Sequence, residues 1–229
     1  MRQNILKHQL KEHGSKPLAD SVKDFGLVVI GAHSGQYSKE LINQYLGQNI
    51  LLVEPVPYNF DILSKEYLNK ENFFLSKNAV LDVSKKMDFF YIKKESLSKL
   101  RKHWATGIGS FDKNHILNHK TKRFKVIDDD IQKEEIEFIT FNDLIEKFSI
   151  NSINKLQLDV EGAEYKILNS IDYKRIEIKE IIFEYKHFDG TFSEGKKLKE
   201  TKQKLEKNGY ILKKIDEENI LARKQLSLV

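Results

Sequence analysis

The sequence predicts an α/β protein built on a parallel sheet, on two stretches and one pattern. The first stretch, Val28-Val29-Ile30-Gly31-Ala32-His33-Ser34-Gly35, is an apolar strand that ends in small residues and opens toward a helix. The second, Leu158-Asp159-Val160-Glu161-Gly162-Ala163-Glu164, repeats that strand-to-helix transition with carboxylates at the turn. Around them apolar runs alternate with helical patterns, as expected of βαβ units. In open parallel sheets, ligands bind in the crevice outside the carboxyl ends of the strands. Both stretches therefore place their special residues where such a fold does chemistry.

Taken in order, the first 24 residues are polar, and Gly14 and Pro17 mark a turn after a short helical extension. Residues 27–30 read as a buried strand, 35–46 as a helix and 50–53 as the second strand. Residues 57–68 look helical, and 73–80 contain a third strand. Residues 88–92 read as an added strand. Residues 93–123 have no clear period and form an inserted loop or lid, with Trp104 and Phe111 as apolar candidates to cover a site. Residues 137–140 resemble an edge strand and 141–148 a short amphipathic helix. Residues 155–158 resume the parallel sheet, followed by a helix over 162–169 and a strand over 180–185. A charged helix over 193–208 ends at Gly209, and residues 210–213 and 220–223 form a closing hairpin. The whole of residues 1–229 reads as one domain.

Bulk properties narrow the function. No stretch approaches the roughly 20 apolar residues that span a bilayer, and no apolar segment follows the amino terminus as in a signal peptide. The chain has no cysteine, which excludes disulfides, thiolate metal sites and cysteine nucleophiles. These features point to the cytoplasm. The net charge is +5, yet lysines are interleaved with acids, as in Lys196-Lys197-Leu198-Lys199-Glu200. Dispersed charge of this kind lacks the footprint of a nucleic-acid-binding face. Nothing in the sequence assigns an oligomeric state.

Gly31 and Gly35 allow a tight turn and close approach of backbone to a ligand. Glu54 ends the second strand, where a carboxylate accepts hydrogen bonds from a ribose diol. A glycine-rich turn, a second strand and a terminal acid suit an adenosine-containing cofactor. The dinucleotide fingerprint Gly-x-Gly-x-x-Gly fails, because His33 and Gln36 occupy its second and third glycine positions.

Four motifs in order then resemble the FkbM-type S-adenosylmethionine-dependent methyltransferases: Gly31, Ala32 and Gly35; Glu54-Pro55; Asn78-Ala79; and Asp159, Glu161, Gly162, Ala163 and Glu164. Phe141-Asn142-Asp143-Leu144 resembles the short helix before the fourth strand, and the similarity runs from about Gly26 to about His187. The resemblance implies a Rossmann-like class I methyltransferase fold, with a seven-stranded, mostly parallel sheet, one antiparallel strand and helices on both faces. It implies S-adenosylmethionine as cofactor, held by Gly31, Ala32, His33, Gly35, Glu54, Asn78, Ala79 and Asp159. Two positions depart from the family: Val29 replaces the acid of the first loop, and His33 replaces its asparagine.

Methyl transfer from a sulfonium requires mainly that acceptor and methyl group be aligned. A hydroxyl acceptor must also lose a proton, a task for a carboxylate or histidine. Asp159 ends a strand, with Glu161 two positions on and on the same side if the backbone is extended. The pair can act as base and orienter, or hold a divalent cation. Glu164 opens a helix, where an acid is favoured by the dipole. His187 follows the fifth sheet strand and is the alternative base. His103, His115 and His119 show no acidic partner at metal spacing and read as surface residues. The expected activity is O-methylation of a hydroxyl on a sugar, glycan or related small metabolite. RNA or protein methylation, and a catalytically inactive binding module, are the alternatives.

Overall fold

A computed structural model describes residues 22–100, 103–118, 125–189 and 194–225. Its main sheet is assembled from β1 (Lys23–Ile30), β2 (Asn49–Val53), β3 (Phe73–Ser76), β8 (Ile150–Leu158), β9 (Glu177–Glu184), β10 (Tyr210–Lys214) and β11 (Asn219–Lys224). The strand order is β10-β11-β9-β8-β1-β2-β3. All neighbouring pairs are parallel except those made by β11, which runs antiparallel to β9 and β10. One strand is thus reversed in a seven-stranded sheet, as the resemblance implies.

Strand alternation divides the core between two faces. Leu27, Val29, Ile50 and Leu52 join Ile42 of α1 (Lys39–Gln44) and Leu63 and Tyr67 of α2 (Pro57–Tyr67). Val28, Ile30, Leu51 and Val53 face the opposite layer. There α5 (Phe141–Lys147) contributes Phe141 and Leu144, α6 (Glu164–Ser170) Ile167 and Leu168, and α7 (Lys196–Lys207) Leu198 and Leu205. Strands buried on both faces need continuous apolar runs, which is what residues 27–30 and 50–53 supply. Thr140 starts α5 with a reciprocal capping box to Asp143, whose backbone N–H lies 3.1 Å from the Thr140 hydroxyl. Pro57 sits in the first turn of α2, where its missing N–H is harmless.

A second sheet was not foreseen. It has the order β4-β7-β5-β6, formed by β4 (Ala79–Leu81), β5 (Lys85–Ile92), β6 (Gly109–Ser110) and β7 (Ile131–Thr140). Residues 73–80 are therefore not one strand. The chain leaves the main sheet after Ser76 and enters the second sheet at Ala79. The expected edge strand at 137–140 is the end of β7, which is flanked by β4 and β5. The β5–β7 pair is buried on both sides: Phe89 and Tyr91 face the main core, while Ile92 and Ile131 join a separate cluster with Leu100, Ala105, Ile108, Ile116 and Val126.

That cluster explains the segment 93–123, which is not structureless. Its described residues hold α3 (Lys94–Leu100), a 3-10 turn (His103–Thr106), β6 and α4 (Lys113–Asn118). These elements are too short to show a period in sequence. The proposed amino-terminal helix falls almost wholly outside the described residues, and residues 23–24 already belong to β1. The side chain of Trp104 and all of His119 also lie outside them. The helix expected from Gly35 starts only at Lys39. Among the described residues, no helix is long and apolar enough to cross a membrane.

Candidate active site

The carboxyl ends of β1, β2 and β8 meet where the chain order reverses, with β2 and β3 on one side of β1 and β8 and β9 on the other. This is the switch point at which open α/β sheets bind ligands. A cleft of about 500 Å³ opens there, lined by Gly31, Glu54, Asn78, Ala79, Asp159 and Glu161 among others. Val56, Val80, Phe89, Phe111 and Phe138 give it an apolar wall. The two foremost strands approach so closely that a Cβ on Gly31 would stand 1.7 Å from the Asp159 carbonyl oxygen, and Gly31 has φ +86°. Only glycine fits both demands.

The first loop closes around Glu54. Its two carboxylate oxygens accept the backbone N–H groups of His33 and Val56, both at 2.8 Å. The carboxyl is buried, and loss of hydration raises it to about 7 despite those hydrogen bonds and the one from Asn59. His33 has φ +51°, a region that asparagine and histidine enter more readily than most residues. Its ring lies 2.7 Å from the Thr106 hydroxyl and 3.0 Å from that of Ser34. Asn59 donates to the Thr106 carbonyl at 2.7 Å. The histidine at this position thus links the first loop to the inserted segment. Burial lowers the His33 pKa. Ala32 and Gly35 are buried behind the loop rather than in the cleft lining.

Asn78 lines the cleft, but its side chain is engaged elsewhere. It donates to Glu137 at 2.7 Å and accepts from Lys147 at 2.7 Å and Ser76 at 3.0 Å. These bonds carry the chain from the main sheet to the second one and present Ala79 to the cavity.

At the end of β8 the backbone is not extended. Glu161 has φ +54° and Gly162 φ +101°, so Asp159 and Glu161 do not share a side by strand alternation. Glu164 holds this turn: its buried carboxylate accepts the N–H groups of Val160 at 2.7 Å and Gly162 at 3.0 Å. Burial pushes its pKa well above the usual carboxylate range. Asp159 is accessible but stands in a concave wall. Loss of surrounding water, then the charges of Glu161 and Glu218, raise it to about 6, with Lys186 opposing. Glu184 is pushed to about 8, first by desolvation and then by Glu161 and Asp159.

A second cavity of about 710 Å³ adjoins the first and shares Ser110, Phe111 and Glu161 with it. His115, Tyr165, Lys166, His187, Phe188 and Lys197 complete much of its wall. His115 corrects its reading as a surface residue, since its side chain is 18 % exposed and lies 3.6 Å from Glu161. Helix α4 carries it there, and no local pattern announces a partner so distant in sequence. His187, placed at the ligand edge from sequence, lies 3.9 Å from the same Glu161 oxygen.

The strand order and the switch-point cleft define a Rossmann-like α/β fold that binds its ligand at the carboxyl edge of the sheet. A profile of the methyltransferase FkbM domain matches residues 30–212, and the chain belongs to that family, whose cofactor is S-adenosylmethionine. No curated protein matches the chain. Among solved structures it is similar to precorrin-6y C5,15-methyltransferase from Geobacter metallireducens GS-15, with TM-score 0.41, 13% identity and coverage of 89% of this chain and 82% of that one. It is also similar to Aeropyrum pernix fibrillarin in complex with S-adenosyl-L-methionine, with TM-score 0.41, 12% identity and coverage of 90% and 70%. A fibrillarin/Nop5p complex gives TM-score 0.45 at 13% identity, covering 98% and 82%.

The residues present fit the cofactor. The Gly31 loop leaves the backbone open to close approach at the cleft, and Glu54 retains unused lone pairs for hydroxyl donors.

Proposed function

We propose that the protein transfers the methyl group of S-adenosylmethionine to a hydroxyl of a sugar, glycan or related small metabolite. The observation that carries this reading is the second cavity beside the cofactor cleft. It combines aromatic faces from Phe111, Tyr165 and Phe188 with donors and acceptors from His115, Glu161, His187, Lys166 and Lys197. A polyhydroxylated ring, apolar on its faces and polar at its rim, matches such a lining. Asp159, Glu164 and Glu184 crowd the neighbouring edge, with one carboxylate oxygen of each within 4.8 Å of the others. Lysines interleaved with acids along the chain give a polyanion such as RNA no basic footprint to follow.

Roles follow from position. Glu54 holds the ribose hydroxyls, Gly31 and Ala79 let the cofactor lie against backbone, and Phe89 and Phe138 exclude water from its apolar part. Ala32, His33 and Gly35 shape the loop, with His33 tying it to residue 106. The bound cofactor supplies a methyl carbon already activated by a positive sulfur. Asp159 receives the acceptor hydroxyl proton on its carboxylate, while Glu161 and His187 orient the acceptor from the adjoining cavity.

The test is transfer of labelled methyl from S-adenosylmethionine to a panel of sugars and glycans, with total RNA and protein as comparison acceptors. Label in the sugar fraction as a methyl ether supports the reading. Label confined to RNA or protein overturns it.

A further inference from the structure

Three side chains meet at one point of the acceptor cavity, each from a different element. His115 comes from α4 of the inserted segment, Glu161 from the turn after β8, and His187 from the loop after β9. We propose that His115, Glu161 and His187 form a binding site for a divalent transition-metal ion, which holds the acceptor hydroxyl. The task given to the ion rests on the methyltransferase reading above; the binding of the ion does not.

The geometry is near what coordination needs. Bonds of about 2.1 Å to nitrogen and oxygen place tetrahedral ligand atoms about 3.4 Å apart. Here the Glu161 carboxylate oxygen is 3.6 Å from His115 Nε2 and 3.9 Å from His187 Nε2. One ligand atom from each residue lies within 4.8 Å of the other two. The imidazole rings are 5.0 Å apart and nearly perpendicular, at 86°, so both nitrogens can face a common centre rather than stack. Side-chain exposures between 14% and 25% keep the cluster off the open surface.

The backbone is arranged around the middle ligand. Glu161 occupies the left-handed region at φ +54°, which costs free energy in a residue other than glycine and persists where the surroundings enforce it. Glu164 enforces it through its bonds to the amides on either side of Glu161. The motif read in sequence as acids around a turn thus has a division of labour. Glu164 builds the turn, and the turn presents Glu161 to the two histidines.

Two imidazoles and one carboxylate suit zinc, manganese, iron or cobalt better than magnesium or calcium, and three protein ligands leave positions open for substrate. An acceptor hydroxyl on an open position becomes more acidic. Its proton passes to Asp159, its oxygen forms the new bond to the methyl carbon, and the carbon–sulfur bond breaks. The ion keeps its oxidation state throughout.

The test uses the full chain stripped with a chelator and titrated with Co²⁺ at neutral pH, followed by visible absorption. One equivalent should bind with ligand-field bands and be displaced by Zn²⁺. His115→Ala, His187→Ala and Glu161→Gln should each weaken binding at least tenfold. Titration with S-adenosylhomocysteine runs alongside, and retained affinity shows that each variant is folded. Absence of Co²⁺ binding by the stripped wild type, or binding unchanged in the three variants, overturns the site and leaves the histidines as an ion-paired cluster. Metal binding without any S-adenosylhomocysteine binding would leave the site standing and remove the role given to the ion.

Discussion

Replacing Glu54 by glutamine separates what this residue costs the fold from what it does for the cofactor. In the wild type, burial moves the carboxyl from 4.5 to about 7. Because the folded state then holds the proton more tightly than the unfolded chain, the contribution of Glu54 to stability is greatest below pH 4.5 and falls as pH rises to 7. The displacement corresponds to about 3 kcal/mol. Glutamine removes that pH-dependent loss. It also leaves one of the two amides, His33 or Val56, facing an NH₂ group instead of an oxygen, at a cost of about 1–3 kcal/mol at every pH. Glu54→Gln should therefore be less stable than wild type at pH 5 and close to it, or above it, at pH 8. Urea unfolding at the two pH values, without ligand, reads the difference. In the same variant, loss of charge-assisted bonds to the ribose hydroxyls should weaken S-adenosylhomocysteine about 10- to 100-fold. Parallel stability profiles would refute the burial argument, and unchanged affinity would remove Glu54 from the ribose role.

Three further outcomes are expected. Gly31→Ala drives a methyl group into the Asp159 carbonyl and should destabilise the fold by more than about 2 kcal/mol in urea unfolding; a smaller loss would mean that the two strand ends separate freely. Asp159→Asn should lower turnover at least a hundredfold while S-adenosylhomocysteine affinity stays within about threefold. If turnover survives, Asp159 is not the base and the proton leaves by another route. Glu164→Gln removes an acceptor from the Val160–Gly162 turn and should lower Tm by about 4 °C or more; an unchanged Tm would show that the turn stands without it.

The sequence disclosed the main sheet because each of its central strands is buried on both faces. Runs such as Leu27-Val28-Val29-Ile30 and Ile50-Leu51-Leu52-Val53 have no other use in a protein of this composition. Glu54 and Asp159 were legible because each ends such a run. The second sheet was hidden at Lys77-Asn78, where an apparently continuous strand changes sheets through side-chain bonds to Glu137 and Lys147. Those partners are distant in sequence. His115 was hidden for the same reason: a helix of six residues carries no period, and its neighbours Glu161 and His187 approach it only in the folded chain. The conformation of Glu161 was not legible, because strand alternation stops at this left-handed residue and the buried Glu164 that holds it there follows it in the chain.

The measurement that bears most directly on the account is calorimetric titration with S-adenosylhomocysteine, with NAD as the comparison ligand. The account predicts micromolar binding of S-adenosylhomocysteine that Glu54→Gln weakens, and no binding of NAD. Binding of NAD, or of neither ligand, would contradict it.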